Sequence, residues 1–139
     1  KVGTYDHSDT IYIDIPKKSD VKYLVSDVEN DESKTSVFDS SKQLSNDPYA
    51  VFMGGNKPRI DISTNVETTK HLLIFKDSYA NCFIPYLLPY YNEIVVIDPR
   101  YYGEDIDQVI TDEKITDVMF LYNANTFFSD SSLTQLLNN

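Results

Sequence analysis

The chain has no tryptophan, one cysteine, two histidines and four glycines in 139 residues. Each scarcity removes a class of explanation. The lone Cys82 cannot form an intrachain disulfide and lacks the CxxC or Cys/His spacing of a zinc site. Between Tyr79 and Phe83 it reads as a small buried hydrophobe. Cations are also few: 12 Lys and Arg against 22 Asp and Glu give a formal charge of -10. That sign opposes nucleic acid and anionic lipid as partners. No run reaches the roughly 20 apolar residues of a membrane span, and no basic-then-apolar signal segment opens the chain. No GxGxxG, GxxxxGK[ST] or HExxH is present, so no cofactor and no metal is expected. The chain opens on Lys1 rather than Met, from which an upstream part of the same protein is expected.

What is present describes a folded chain. The hydrophobic fraction is 41%, with 11 Tyr and 7 Phe, enough for one core in a single domain over 1–139. "TIYIDIP" (10–16) alternates Ile11, Ile13 and Ile15 and ends at Pro16, a strand signal. Residues 1–48 otherwise read as a loop-rich cover, with an acidic excursion at 29–33 and short turns before Pro48. The α/β core is expected over 49–139. "YAVFMGGN" (49–56) predicts a buried strand entering a tight turn at Gly54-Gly55-Asn56. "HLLIFK" (71–76), "EIVVID" (93–98) and "DVMFLY" (117–122) are continuous apolar runs, as in strands buried on both faces. The segments between them, 79–91 and 103–114, have the length of crossover helices. The first is kinked by Pro85, and the second carries Ile106, Val109 and Ile110 on one face. That alternation predicts a mainly parallel sheet.

Ligands of such sheets bind beyond the carboxyl ends of the strands, where Asp77, Ser78 and the "NAN" of 123–125 fall. Ser78 then has two readings. As a helix cap it bonds first-turn amides, worth about 1 kcal/mol. As a nucleophile it requires a base, and its own amide helps to hold an oxyanion. Spacing leaves both open. Tyr86, Tyr90, Tyr91, Tyr101 and Tyr102 likewise read either as packing or as a sugar-stacking platform. An arrangement of Asp77, Asp98 and Lys76 as a phospho-acceptor site has the strand order wrong.

"KDSYAN" (76–81) is similar to the nucleophile block of the SGNH-hydrolase group, in which Asp-Ser follows the first core strand. "VFMGGNKPRIDI", then "LLIFKDSYANCFIPYLLPYYNEIVVIDPRYY", then "ITDVMFLYNANTF" resemble, in that order, the carboxyl-terminal half of the DHHW protein family. These are bacterial envelope-associated proteins related to the alginate-acetylation enzymes. The resemblance covers about 48–135, with weaker agreement at "GTYDHSDTIYI".

The resemblance implies a three-layer α/β sandwich, SGNH-hydrolase-like with a flavodoxin-like core. It also implies acyl-ester hydrolysis or transfer on a glycan, and a cell-envelope or secreted location. By matching position Ser78 is the nucleophile, Asp77 its neighbour and Asn123 a second oxyanion donor, with Asn125 as runner-up; Gly103, Gly54 and Gly55 are candidates for the glycine donor. Two departures stand out. Lys76 replaces the glycine of the wider group, and the Asp-His-His-Trp motif is absent, leaving only His7 and His71. His71 begins the strand that leads to Ser78, roughly 20 Å away at about 3.3 Å per residue. A base must come within about 3 Å or act through one water. His7, beside Asp6, reads as a turn histidine. The base is therefore expected upstream, and the chain alone is expected to be nearly inactive. The alternative is a non-catalytic glycan-binding or structural module of the same fold.

Overall fold

The computed structural model describes residues 20–138; the strand signal at 10–16 and His7 lie outside them. The described residues form a mixed α/β fold with one six-stranded sheet and few helices. The strands are β1 (Tyr23–Asp27), β2 (Glu32–Lys34), β3 (Arg59–Thr64), β4 (His71–Lys76), β5 (Glu93–Ile97) and β6 (Asp117–Leu121). Their order across the sheet is β2-β1-β3-β5-β4-β6.

The expected mainly parallel sheet is corrected here. β4 pairs in parallel with β5 and β6, but β1–β2, β1–β3 and β3–β5 are antiparallel. The antiparallel half comes from residues whose pattern is weaker. β1 and β2 form a hairpin inside the segment read as loop cover, with only Val25 buried in them. β3 alternates Ile60 and Ile62 inward with polar residues outward, as one strand of a half-solvated sheet does.

The three apolar runs of the carboxyl half are strands, as their composition predicts, and apolar clusters lie on both faces of the sheet. One gathers Leu73, Phe75, Val95 and Ile97 with Tyr102, Ile106, Val109 and Leu136. The last three come from α1 (Ile106–Asp112) and α3 (Ser132–Leu136). In α1 the carboxylate of Asp105 caps the first turn by accepting from Asp107 N and Gln108 N. Ile106 and Val109 face the core, while Ile110 is exposed. The other cluster sets Ile62, Leu72, Ile74, Ile94 and Val96 against Val37, Met53, Ile84, Leu87 and Leu88. Here the cover is loop and 3₁₀ turn, where a helix layer was expected.

Two further expectations differ. Residues 49–56 do not extend: Pro48–Val51 is a 3₁₀ turn, followed by left-handed backbone at Met53 (φ 62), Gly54 (φ 79) and Gly55 (φ 99). Residues 79–91 form two 3₁₀ segments, Ser78–Cys82 and Ile84–Tyr90, since Pro85 and Pro89 lack the amide protons an α-helix needs there. Among the described residues β6 is an edge strand, with Val118 and Phe120 about half exposed; Phe120 stacks on Phe75 with centroids 5.3 Å apart.

At the start of β5, burial and the carboxylates of Asp61 and Glu113 push Glu93 up to about 7, against a usual 4.5. The folded state therefore holds this proton more tightly than the unfolded chain. Its contribution is complete below about pH 4.5 and is lost as pH rises through 7. Glu93→Gln should flatten this part of the stability curve. Its advantage over the wild type should grow by about 1 to 2 kcal/mol between pH 5 and pH 8, screening allowed for; urea unfolding at several pH values measures it.

Candidate active site at the carboxyl ends of the parallel strands

β5, β4 and β6 run in one direction, so their last residues Ile97, Lys76 and Leu121 share one rim of the sheet. β3 runs the other way, which brings the residues before Arg59 to the same rim. Main-chain bonds tie it together: Asp98 N donates to Pro58 O (3.1 Å) and Asp77 N to Leu121 O (3.4 Å). The buried polar or charged side chains of the described residues are Lys76, Asp77, Asn81 and Asp98, each at most 2% exposed. All four lie at this rim. Burying such groups is costly unless each is paired, so their concentration marks the place where packing has been subordinated to polar geometry.

Asp77 takes the capping role that the sequence left open for Ser78. It is the N-cap of the turn Ser78–Cys82, and its Oδ1 accepts from Tyr79 N at 3.0 Å. Ser78 is the first residue of the turn, partly exposed. First-turn amides have no acceptor within their own helix, and neither the Ser78 N–H nor its Oγ has a hydrogen-bond partner among the described residues. The amide and the hydroxyl are thus both free.

Asn123 meets the same carboxylate. Its backbone N–H (3.0 Å) and its Nδ2 (2.5 Å) both donate to Asp77 Oδ2. The other Nδ2 hydrogen goes to Thr126 Oγ1 (2.7 Å), while Oδ1 caps helix α2 (Ala124–Ser129) by accepting from Thr126 N. Ser78, Asp77 and Asn123 therefore converge on one rim, and both amide hydrogens of Asn123 are committed within the protein. Asn125 is exposed on α2. Gly103 is exposed, with open space where a Cβ would stand. Gly54 and Gly55 form the left-handed turn, in which Gly55 N donates to Phe52 O. His71 stands at the opposite end of β4, its Nδ1 bonded to Glu113 O at 2.6 Å.

A second, charged layer lies behind Ser78. Lys76 Nζ donates to Asp98 Oδ2 and to Asn56 Oδ1, both at 3.2 Å. Burial lowers the Lys76 pKa, and Asp98 opposes that shift by favouring the ammonium. Arg100 grips Asp98 with two bonds, Nε to Oδ1 (2.9 Å) and Nη2 to Oδ2 (2.7 Å). This hydrogen-bonded carboxylate raises the Arg100 pKa further and keeps it charged. Asn81 Nδ2 donates to Asn56 Oδ1 at 3.2 Å, and Asn81 Oδ1 is buried with no partner. Asn56, Asn81 and Arg100 were missed in the sequence. The signal for two of them was there, an Asn after a Gly-Gly turn and an Asn three residues after Ser78.

A hollow of about 290 Å³ beside Ser78 is lined by Tyr79, Ala80, Phe83, Leu121, Tyr122 and Asn123. Another, of about 370 Å³, is lined by Glu29, Asn56, Lys57, Pro58 and Tyr101. Of the tyrosines weighed as a sugar platform, Tyr86, Tyr90 and Tyr101 are exposed and Tyr102 is buried. Cys82 is only partly buried, with Sγ 3.5 Å from Tyr79 O.

No protein-family model and no curated protein matches the sequence. Among solved structures, a DHHW family protein from Eubacterium siraeum is similar at 28% identity and a TM-score of 0.73, over 88% of this chain and 41% of that one. The resemblance to the DHHW family holds in three dimensions. Bacillus cereus PatB1 is similar at 25% identity, with a TM-score of 0.63 and coverage of 80% and 38%. The same protein with a sulfonyl adduct gives 26% identity, a TM-score of 0.62 and the same coverage. The DHHW-like chain thus spans about two fifths of the length of each of these proteins.

Because Asp77 is at once the cap of the Ser78 turn and the tie to Asn123, Asp77→Ala should destabilise the fold by about 2 to 4 kcal/mol. Denaturant unfolding measures the loss. Asn123→Ala should cost less, about 1 to 2 kcal/mol, since the backbone N–H of residue 123 still reaches Asp77.

Proposed function

We propose that this DHHW-like chain is part of an SGNH-like acyl-ester enzyme, an esterase or O-acetyltransferase acting on acylated glycan at the cell envelope, with Ser78 as its nucleophile. The observation that carries the reading is the free Ser78 hydroxyl and amide at the strand rim, with the capping role taken by Asp77. A serine needed as a cap would have its oxygen on a first-turn amide. The sulfonyl adduct of PatB1 supports the reading, since a sulfonyl group is what an activated nucleophile acquires from a sulfonyl electrophile. The apolar hollow beside Tyr79 and Phe83 suits the acyl group, and the polar one lined by Tyr101, Lys57 and Glu29 suits a sugar.

In this mechanism Ser78 Oγ attacks the acyl carbon and its proton passes to a base. The Ser78 N–H, without an acceptor among the described residues, donates to the oxyanion in this reading. Collapse expels the sugar hydroxyl, which takes up the proton, and leaves acyl-Ser78 for water or a second sugar hydroxyl to release. His71 is at the wrong end of β4 to be the base, so the base belongs to a part of the protein outside the described residues. Without it the rate falls by several orders of magnitude. A second reading, a binding module with the same fold, is favoured by that same lack of a nearby base.

Hydrolysis of 4-nitrophenyl acetate by the longest natural form of the protein, which would carry the base, should fall at least ~10³-fold in Ser78→Ala, with the melting temperature unchanged. Equal rates in the two proteins would leave the binding module as the better account.

A further inference from the structure

The hairpin of β1 and β2, the 3₁₀ turn Ser40–Lys42 and the left-handed turn at Met53 and Gly54 border a hollow of about 380 Å³ that has no part in the proposed reaction. Sites for small ligands are of this size. Six charged side chains line it and their signs balance, Asp27, Glu32 and Asp39 against Lys34, Lys42 and Lys57. In a chain of charge -10 that balance is a local feature. We propose that this hollow binds a small zwitterion, an α-amino acid, with the ligand ammonium on Asp39 and Glu32 and its carboxylate on Lys34 and Lys42.

Most of these charges are not spent on one another. Lys57 pairs with Asp27 at 3.0 Å, and Asn30 Nδ2 donates to the same carboxylate at 2.8 Å. The other four charged groups form no ion pair among the described residues. Lys34 Nζ has a single long bond, to Met53 O at 3.5 Å, although an ammonium offers three donors. The Lys42 ammonium and the Glu32 carboxylate have no hydrogen-bond partner among the described residues. Asp39 commits only Oδ1, to Ser41 N and Ser41 Oγ. A hydrogen bond from Ser41 and the charges of Lys34 and Lys42 hold the Asp39 pKa below the usual carboxylate value, so this group stays ionised.

Backbone keeps the opposite charges apart. A Cβ on Gly54 would stand 3.0 Å from Lys34 Nζ and 3.8 Å from Asp39 Oδ2, which places the two charges within about 7 Å of each other. They are nevertheless beyond the ~4 Å of an ion pair. An α-amino acid carries its nitrogen and its carboxyl carbon about 2.5 Å apart. Laid antiparallel to the Lys34 and Asp39 charges, it answers both at once. Gly54 (φ 79) leaves the space, and Met53, a non-glycine residue in left-handed backbone (φ 62), gives Lys34 its carbonyl. Such backbone is costly and persists where its surroundings require it. A simple anion would meet Glu32 and Asp39, and a simple cation would meet Lys34 and Lys42, so the lining selects against either charge alone. Val25, Met53 and Ile60 form an apolar wall for a ligand side chain.

The test is calorimetric titration of the protein with L-leucine, with 4-methylpentanoate and isopentylamine as the same skeleton carrying one charge each. Leucine should bind saturably, and each single-charge analogue at least ~10-fold more weakly. Lys34→Gln, Lys42→Gln and Asp39→Asn should each weaken leucine ~10-fold or more. Lys70→Gln, the same loss of charge at an exposed position before β4, should leave the affinity unchanged. Asp39→Asn keeps an oxygen for Ser41, and the Lys42 side chain bonds nothing among the described residues, so loss of binding is separable from loss of fold by urea unfolding of each variant. Absence of saturable leucine binding overturns the proposal. So does equal binding of either analogue, which would make the hollow a site for one charge, and so does an affinity that folded Lys34→Gln and Lys42→Gln proteins share with the wild type.

Discussion

The buried pair of Lys76 and Asp98, completed by Arg100, is the interaction on which the site depends. Two cations share one carboxylate at the ends of adjacent parallel strands. An ion pair so deeply buried is poor as a source of net stability, because desolvation offsets much of the attraction. Its effect is to exclude alternatives. Lys76 admits only an acceptor as its second partner, so it selects the oxygen of Asn56; Asn56 then sets the amide of Asn81. A chain of single-valued choices runs from a strand end, through a glycine turn, to the turn that bears Ser78.

The parts of this arrangement that could be read in the sequence are those in which one residue type has one explanation. β4 and β5 are unbroken apolar runs because they are covered on both faces, and a continuous run has few other uses; β6 is just as apolar but has no fully buried residue, with Val118 and Phe120 half exposed. Gly54 and Gly55 announced a left-handed turn, and the structure has one. α1 showed itself through Ile106 and Val109. The antiparallel half was hidden for the opposite reason. β2 presents charged and hydroxyl side chains at every position and β1 only the short apolar run Tyr23–Val25, and the pairing of β1 with β3 is a property of neighbours distant in sequence. In 79–91 an apolar count resembling a helix overrode the two prolines, which the backbone could not ignore.

The site was legible in identity more than in role. The residues quoted as "KDSYAN" do stand at the rim, but their division of labour turns on which oxygen reaches which amide. No spacing rule distinguishes Asp77 from Ser78 as the cap when both can serve. Asn123 illustrates the same limit: its position suits a donor, yet a carboxylate 46 residues away in sequence already holds both its backbone N–H and its side-chain Nδ2. Asn56, separated from Ser78 by all of β3 and β4, becomes visible only when the antiparallel course of β3 carries it to the rim.

The margin formed by β6 has a different kind of consequence. Among the described residues its outer backbone groups are unpaired, and Val118 and Phe120 lie open beside them with neither proline nor lysine in the strand. Such an edge is a template for a further strand. The -10 charge of the chain keeps molecules apart at long range, but salt at physiological strength confines that repulsion to about 8 Å. For the described residues, association is therefore a contest between screened charge and this open apolar edge, and ionic strength decides which prevails.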